Sequence, residues 1–327
     1  MTSTHPRTEP DLERYADTLA TLSHGSVHRR FDPYLDIDWD DPDFAVNADD
    51  DDRWILPEAD PFGAHPWYRA LPRERRIQVG MWRQANVAKV GLQFENILIR
   101  GLMQYVFALP NRSPEFRYCT HEAIEECNHT MMFQEVVDRI GLDVGGMRTW
   151  VKLIGPAIPL VATIFPAWFF TMVLAGEEPI DHTQKAVLRA GSRTHPMLQR
   201  VMTIHIAEEA RHISFAHEYL RKAVPELDPA RKFVLSLLFA PTMRITCDLI
   251  TVPTPAFRRR CDVPEKVIRE VFWRSPQSRK MLRDSFADVR MLATDLGLMN
   301  PPARLLWKLC RIDGPASRYR SEPARGA

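Results

Sequence analysis

Two glutamate–histidine pairs in the sequence have the spacing of metal ligands on a helix. Glu126-Cys-Asn-His129 and Glu209-Ala-Arg-His212 both read Glu-x-x-His, and each lies within a long helical pattern. Three residues of an α-helix turn through about 300°, so both side chains of a pair return to one face. One pair alone would be weak, because glutamate and histidine are common on exposed helices. The second copy predicts two helices that face a shared metal site.

Two further glutamates are candidates for lone ligands on the neighbouring helices. Glu95 lies in the apolar stretch KVGLQFENILIRGL, and Glu178 lies in FFTMVLAGEEPIDH. A buried glutamate is rarely tolerated without a cation. A core salt bridge with Arg100 is the less favoured explanation for Glu95, and Glu177 is the rival of Glu178. Two Glu-x-x-His helices and two single-glutamate helices are the arrangement of ferritin-like di-metal bundles.

A third histidine, His205, extends the second pair along the same helix face. Residues 205, 209 and 212 follow the i, i+4, i+7 spacing of one stripe. The alternative is a core histidine that is hydrogen-bonded to a backbone carbonyl. Carboxylates and imidazoles without thiolates favour iron or manganese over softer metals. Cys127 points away from the pair beside it, and we expect a small core residue there rather than a ligand.

The helical pattern covers most of the chain and predicts an all-α fold. From residue 73 onward no stretch shows sustained alternation of apolar and polar residues. Proline and glycine mark the boundaries. About eight helices are expected, four of them long and central, with extra helices flanking a ferritin-like bundle. The long ones are predicted over 73–109, 114–140, 159–190 and 194–224, and four more starts are predicted at Asp228-Pro229, Asp262-x-Pro264, Ser275-Pro276 and Asn300-Pro301.

The first 72 residues differ in composition from the helical domain at 73–327. The segment between Asp32 and Asp60 is acidic and rich in proline, with aromatic residues spaced through it. We expect an extended arm that packs along the main body or a second subunit, and we predict a homodimer. The consecutive aspartates at 49–52 are expected to form a solvated face.

Composition and charge exclude several classes of function. The 327 residues carry 43 Lys and Arg against 42 Asp and Glu, a net charge of +1, which does not favour nucleic acid or an anionic membrane. Five cysteines without a C-x-x-C pair, and an N-terminus without an apolar signal segment, predict a cytoplasmic protein. The uncharged stretch 153–175 is long enough to cross a bilayer, but three prolines interrupt it, so we expect soluble core and no membrane span.

The motifs resemble those of the p-aminobenzoate N-oxygenase (AurF-like) family of di-iron proteins. The similarity is carried by His205-Ile-Ala-Glu208-Glu209-Ala-Arg211-His212 together with Glu125-Glu126-x-x-His129, and in order and spacing it covers about residues 75–225. That family adds a third histidine to the usual ligands, where His205 stands. The resemblance implies seven metal ligands: Glu95, Glu126, His129, Glu178, His205, Glu209 and His212.

The resemblance also implies an activity. A reduced centre of two iron or manganese ions would bind O₂ as co-substrate and transfer oxygen to the nitrogen of an amine, most simply an arylamine. The sequence has no G-x-G-x-x-G fingerprint of a flavin or nicotinamide site, so the electrons are expected from an external reductase or ferredoxin. The apolar segment from Ile158 to Leu174 is predicted to bound the substrate pocket. Candidate lining residues are Phe94, Phe133, Phe169, Phe170 and Phe215.

Three alternatives stay open at the level of sequence. The same centre could hydroxylate or desaturate carbon, because its ligands do not separate oxidation of nitrogen from oxidation of carbon. A ferritin-like protein could bind iron without any organic substrate. A helical interaction protein without metal would require all seven candidate ligands to be coincidental.

Overall fold

The computed structural model of the chain describes residues 9–47, 51–189, 191 and 194–320. These residues form helices, turns and loops, and no strand occurs among them. The predicted all-α, ferritin-like fold is confirmed. Two of the long helices predicted from the sequence match closely, since helices run over Arg73–Phe107 and Pro114–Ile140.

The described residues contain six α-helices of twenty residues or more and several short ones. In chain order the α-helices are α1 (Glu9–His28), α2 (Pro66–Arg69), α3 (Arg73–Phe107), α4 (Pro114–Ile140), α5 (Thr149–Ile154), α6 (Val161–Ile164), α7 (Pro166–Arg189), α8 (Pro196–Ala223), α9 (Pro229–Thr251), α10 (Pro255–Arg260), α11 (Glu265–Arg269), α12 (Pro276–Ser285), α13 (Ala287–Asp295) and α14 (Pro301–Leu309). Tighter or wider turns occur at Pro42–Phe44, Asp52–Trp54, Gly155–Leu160, Val224–Glu226 and Glu270–Arg274.

Four long helices, α3, α4, α7 and α8, form the bundle that carries the candidate ligands. Helix α3 packs along α4, α7 packs along α8, and α4 also contacts α8. Helix α4 starts at Pro114, where the missing N–H is harmless. It ends at Gly141, whose positive φ of 72° lets the Gly141 N–H reach the carbonyl of Val137. The ligand motifs therefore lie in the interiors of long helices, away from fraying ends.

Most of the predicted starts after residue 225 are present. Asp228, Ser275 and Asn300 each accept a hydrogen bond from a backbone N–H three residues on, as N-caps do. The Asp262-x-Pro264 signal precedes α11, which begins at Glu265. A start with the same chemistry was missed at Thr254, which caps α10 through the N–H of Phe257.

The predicted helix over 159–190 is wrong at its beginning. The chain forms a 3₁₀ turn over Gly155–Leu160 and a single short helix, α6, before α7 begins at Pro166. Three prolines remove the N–H donors that one continuous helix would need. At the other end, Ala190 lies outside the described residues. The uncharged stretch 153–175 is therefore broken into short elements and is not one long helix.

One described helical stretch, Pro229–Arg260, is long and apolar enough to cross a membrane by length and composition. It comprises α9 and α10, and α9 packs against α7 and α14. Side chains of α9 such as Phe239 and Met243 are buried in the main core. Such packing is typical of a core helix of a globular protein.

The prediction of an extended N-terminal arm is wrong for residues 9–28, which form α1. Tyr15 and Leu19 of α1 are buried, and the helix packs on α4 and α8. After α1, residues 29–47 and 51–72 contain short helical turns only. In this part Trp54 lies against α3, where a Cβ on Gly80 would come within 1.8 Å of the Trp54 carbonyl oxygen. The absence of a side chain at Gly80 lets the arm touch the bundle.

The aspartate run does not form one solvated face. Asp49 and Asp50 lie outside the described residues. Asp51 is buried, and its carboxylate accepts hydrogen bonds from the Arg53 guanidinium at 2.8 and 2.9 Å. Asp52 is exposed and pairs with Arg73. Only Asp52 of the described pair fits the expectation of a solvated side chain.

Candidate metal centre

Six of the seven predicted ligands come together in the middle of the bundle. Their nitrogen and carboxylate oxygen atoms form two overlapping groups in which all ligand atoms lie within 4.8 Å of one another. Two residues, His129 and Glu209, belong to both groups. All six side chains are buried. We refer to this set as the inner cluster: Glu95, Glu126, His129, His205, Glu209 and His212.

Glu126 spans the two histidines of the Glu-x-x-His motifs. Its Oε2 lies 3.0 Å from Nδ1 of His129, and its Oε1 lies 2.8 Å from Nδ1 of His212. One carboxylate therefore faces both histidines, each with a separate oxygen. This is the geometry of a carboxylate that can bridge two metal ions.

Glu209 and His205 close the cluster from α8. Oε1 of Glu209 lies 3.4 Å from the nearest ring nitrogen of each of the three histidines. Nε2 of His205 lies 3.6 Å from Oε1 of Glu95 on α3. His205 is therefore part of the same cluster as Glu95, and the alternative of a histidine bonded to a backbone carbonyl does not describe it. Arg100 donates to the carbonyl of Asn96, so the rival salt bridge with Glu95 is absent as well.

Two outer carboxylates fix the orientation of the motif histidines. Glu208 lies 3.0 Å from Nε2 of His129, and Glu125 lies 2.8 Å from Nε2 of His212. The Nε2–H of each ring can donate to its outer carboxylate, so Nδ1, which faces Glu126, is the nitrogen that would bind a metal once it has lost its proton. Each outer glutamate serves the histidine of the other helix. Carboxylates in this role set the tautomer and raise the basicity of a ligand histidine.

Arg211 joins the two outer carboxylates. Its guanidinium donates to Glu125 at 2.7 Å and lies 3.5 Å from Glu208. Helix α1 covers it, since a Cβ on Gly25 would lie 3.1 Å from Cδ of Arg211. The backbone N–H of Phe31 also donates to Glu208. The arm thus helps to build the support of the cluster, a role that the sequence did not reveal.

His205 is oriented differently from the other two histidines. Its Nδ1 lies 3.0 Å from the amide oxygen of Gln184 on α7, so Nδ1 carries the hydrogen and Nε2 faces the cluster. Nε2 of His205 has no hydrogen-bond partner. A buried imidazole with an unused acceptor directed at carboxylates is suited to bind a cation.

The structure places the predicted ligand Glu178 away from the inner cluster. Its Oε1 accepts a hydrogen bond of 2.8 Å from Nε2 of His217. His217 is itself buried. The neighbouring Glu177 is buried, and neither of its carboxylate oxygens has a hydrogen-bond partner. Glu177, the rival of Glu178, is therefore the glutamate of α7 whose buried carboxylate has no hydrogen-bond partner.

The buried charges perturb one another strongly. Burial raises the pKa of Glu95 and of Glu177 well above the ordinary value, and neighbouring carboxylates including Glu209 raise it further. Burial acts in the same direction on Glu126, but His212 and His129 hold its pKa well below the usual range. Against the opposing effect of burial, Glu126 raises the pKa of His129 to about 10. In the absence of metal, protons thus compensate part of the buried negative charge.

The orphaned polar atoms of the cluster fit a metal pair. Buried atoms without a hydrogen-bond partner include one oxygen of Glu95, both oxygens of Glu209 and Nε2 of His205. Native proteins rarely leave buried polar atoms unsatisfied. The donors are carboxylate oxygens and imidazole nitrogens, which suit iron and manganese. Cys127 is not among them: it is an exposed free thiol, contrary to the expectation of a core residue.

Comparison with known proteins agrees with this arrangement. Over residues 13–297 the chain matches the family described as P-aminobenzoate N-oxygenase AurF. The chain belongs to this family. Similar proteins occur in mycobacteria: an uncharacterised protein of Mycobacterium bovis and one of Mycobacterium tuberculosis strain H37Rv are each 62% identical over 315 residues, which is 96% of this chain and 92% of theirs.

The AurF match extends beyond the bundle at both ends. It begins within α1 and ends just after α13, so it includes the arm and several flanking helices. The outer residues Glu125, Glu208 and Arg211 also lie within it. A signal for the outer pair was present in the sequence, because each Glu-x-x-His motif is preceded directly by a second glutamate. For Gln184 and His217 the sequence offered no comparable signal.

Proposed function

We propose that the chain is a di-iron oxygenase that uses O₂ to convert an amine, most simply an arylamine, to its hydroxylamine or nitro product. The observation that carries the proposal is the inner cluster of three histidines and three glutamates, within a chain of the AurF family. A ferritin-like site usually has two histidines. His205 is the third histidine here, and it stands where the resemblance to the family implies an additional histidine ligand.

We infer that seven residues hold the two ions, with Glu177 in place of Glu178. Glu126 and Glu209 lie between the histidines and would bridge the ions. Glu95, His129 and His205 would bind one ion, and Glu177 and His212 would bind the other. Six of the seven residues belong to the two overlapping groups of donor atoms, and Glu177 is added because neither of its buried carboxylate oxygens has a hydrogen-bond partner. It leaves Glu178 in its buried pair with His217.

A pair of iron ions would supply two-electron reduction of O₂. For one N-hydroxylation, one oxygen atom forms the new N–O bond and the other leaves as water, and an external donor provides two electrons and two protons. The chain's own contribution is to hold the ligands and exclude bulk water. Glu125 and Glu208 fix the ring orientations of His212 and His129, and the wholly buried cluster separates the reaction from solvent.

A small apolar cavity of about 80 Å³ lies between α3, α7 and α9. Its walls include Phe94, Ile97, Met172 and Val173, with Thr246 as a polar side chain on one side. Ile158, Phe169, Met172 and Val173 come from the apolar segment that was expected to bound the pocket. Of the other phenylalanines considered, Phe133 packs against His205 and not in this cavity. An apolar wall favours a flat, uncharged ring over a charged substrate.

The cavity is connected to the ligand helices through Phe94. Phe94 precedes Glu95 on α3, and its ring lies against Gly176, where a Cβ would be 2.0 Å from Cζ of Phe94. Gly176 directly precedes Glu177 on α7. Phe94 thus lines the cavity and is the chain neighbour of Glu95, and its ring contacts Gly176, the chain neighbour of Glu177. We infer that the substrate reaches the irons past this ring.

The activity is tested with iron-loaded protein that is reduced without oxygen and then exposed to O₂ with one candidate compound at a time. A panel of aryl amines, alkyl amines and fatty acids is analysed by mass spectrometry. The proposal expects hydroxylamino or nitro products from aryl amines. Oxygen found only on carbon would instead indicate a hydroxylase, and O₂ consumption without any oxidised compound would indicate an iron-binding or peroxide-removing protein.

A matched pair of variants tests the cavity. Ile97→Trp places a larger side chain in the cavity, whereas Ile99→Trp makes the same change on the same helix at a residue that does not line it. Ile97→Trp should retain both irons and raise KM for the aryl amine, because it fills the space for the ring. Equal KM values for the two variants would remove the cavity from the proposal.

A further inference from the structure

Glu122 of α4 is buried one turn before the cluster residue Glu126, and its carboxylate has no hydrogen-bond partner. The side chain is fully buried, and neither carboxylate oxygen has a hydrogen-bond partner. It lies four residues before Glu126, which places both on one face of the helix. A buried carboxylate without a hydrogen bond or a cation is costly. Such a residue requires an explanation.

The neighbours of Glu122 are the ligands of one half of the cluster. His212, Glu126 and Glu209 are the charged groups that act on it most strongly after burial itself, and Glu125 follows. Tyr118, one turn earlier on α4, has a buried hydroxyl without a partner and packs against Phe215. Burial raises the pKa of Glu122 well above its usual value, and His212 opposes that rise. Among the groups that act on Glu122, His212 therefore supplies the attractive interaction.

Helices α4 and α8 carry matched stripes of candidate ligands. On α8 the stripe is His205, Glu209 and His212, and on α4 the residues at the same spacing are Glu122, Glu126 and His129. The outer glutamates match as well. Glu125 and Glu208 each directly precede the middle glutamate of their stripe, and each contacts the motif histidine of the other helix. His205 completes the half that contains His129. By the same relation Glu122 is expected beside His212.

We propose that Glu122 is an eighth protein ligand, bound to the ion held by His212, at the position that His205 takes for the ion held by His129. The proposal rests on the proposed di-iron centre and adds one ligand to it. It raises the number of inner carboxylates from four to five, namely Glu95, Glu122, Glu126, Glu177 and Glu209. Two divalent ions carry four positive charges, so the additional carboxylate would favour the more highly charged, oxidised ions.

The test measures metal binding and does not depend on turnover. Metal-free protein is titrated with Co(II) in the absence of oxygen, and heat and visible absorption are recorded for wild type, Glu122→Gln and Glu122→His. The wild type should bind two ions. In Glu122→Gln one of the two should bind at least about tenfold more weakly, with altered absorption, while the other keeps its affinity. Glu122→His should restore much of the lost affinity, because it repeats the ligand of the opposite stripe.

A buried glutamate of the same helix serves as the control. Glu115 is paired with Lys222, outside the inner cluster, so Glu115→Gln should leave both Co(II) affinities unchanged. Melting without metal identifies misfolding: Glu122→Gln should be at least as stable as wild type, because it removes an uncompensated buried acid. Two ions bound with wild-type affinity and absorption in folded Glu122→Gln would overturn the eighth ligand alone. A wild type that binds no ion would overturn the di-iron centre together with it.

Discussion

The two halves of the inner cluster have the same plan but differ in their third side chain. In one half Glu95 of α3, His129 of α4 and His205 of α8 converge. In the other half His212 of α8 is accompanied by Glu122 and Glu177, which are buried and have no hydrogen-bond partner. One half is thus completed by a neutral imidazole and the other is lined by additional carboxyl groups.

The difference shows how a nearly symmetric scaffold can hold two unequal ions. The outer residues are arranged in the same way in both halves. Glu125 and Glu208 each orient one histidine, and Arg211 contacts both of these carboxylates. Burial lowers the pKa of His205 well below its usual value, whereas the pKa of His212 is raised well above it by Glu126 and Glu209 against the effect of burial. The asymmetry therefore lies in the residues that face the interior of the inner cluster.

The largest effect is expected from a residue that both halves share. Glu209→Ala removes the carboxylate that lies 3.4 Å from all three histidines, so we expect loss of nearly all bound metal from both halves. The helical circular dichroism should remain, because the ligand helices are held by their own packing. Metal analysis of the folded variant measures the effect. Retention of two ions per chain would rule out the shared role.

A comparison of adjacent glutamates distinguishes the two possible ligands of α7. Glu177→Gln should lower the affinity for the ion in the His212 half by about tenfold or more, since it removes a carboxylate with no hydrogen-bond partner. Glu178→Gln should leave both ions bound, because Glu178 pairs with His217. Calorimetric titration with Co(II) compares them. The opposite order of effects would return Glu178 to the ligand set.

The third expected effect is confined to the half that contains His205. His205→Ala should keep most of the iron, because all the other proposed ligands remain, but it should change the rate of O₂ consumption. Gln184→Ala is the matched variant, since it removes only the hydrogen-bond partner of His205 and should have a weaker effect in the same direction. Iron spectra and O₂ consumption identical to wild type in His205→Ala would show a purely structural histidine.

The smallest effect is a dependence of metal-free stability on pH. His129 has a folded-state pKa of about 10 and a usual value of 6.5, so its contribution to stability is fully present below pH 6.5 and is lost as the pH rises through 10. The raised pKa values of Glu95 and Glu177 act in the same direction. Metal-free protein should therefore melt at a lower temperature at pH 9 than at pH 6.5.

Metal binding should have the opposite pH dependence. Ligand histidines must be neutral and ligand carboxylates ionised, so uptake releases protons and strengthens as the pH rises over the same range. Thermal melting with and without Co(II) at both pH values measures the two trends together. A metal-free melting temperature that rises with pH would contradict the charge assignment for His129.

The inner cluster was largely predictable because helix geometry fixes which residues share a face. Spacing placed Glu126 with His129 and Glu209 with His212, and it put His205 on the same helix face as Glu209, which the structure also shows. It could not choose between Glu177 and Glu178, because adjacent residues differ by about 100° around a helix and the choice depends on its rotation. Glu178 is instead hydrogen-bonded to His217, and the burial of His217 depends on the packing of α7 against α8.

The N-terminal helix was missed although a signal was present. Leu12, Tyr15, Leu19 and Leu22 recur at helical spacing within α1. The acidic, proline-rich residues that follow dominated the composition of the first 72 residues and suggested one extended segment. The contact of α1 with Arg211 could not be foreseen, because it depends on the long-range packing of α1 on α4 and α8.

The metal content of the purified, folded wild type is the decisive measurement. Protein expressed with iron, or metal-free protein reconstituted with Fe(II) in the absence of oxygen, is analysed for iron per chain after removal of unbound metal. The account predicts two iron ions per chain, with Glu209→Ala near zero in the same assay. A folded wild type that takes up no iron and no manganese would contradict it.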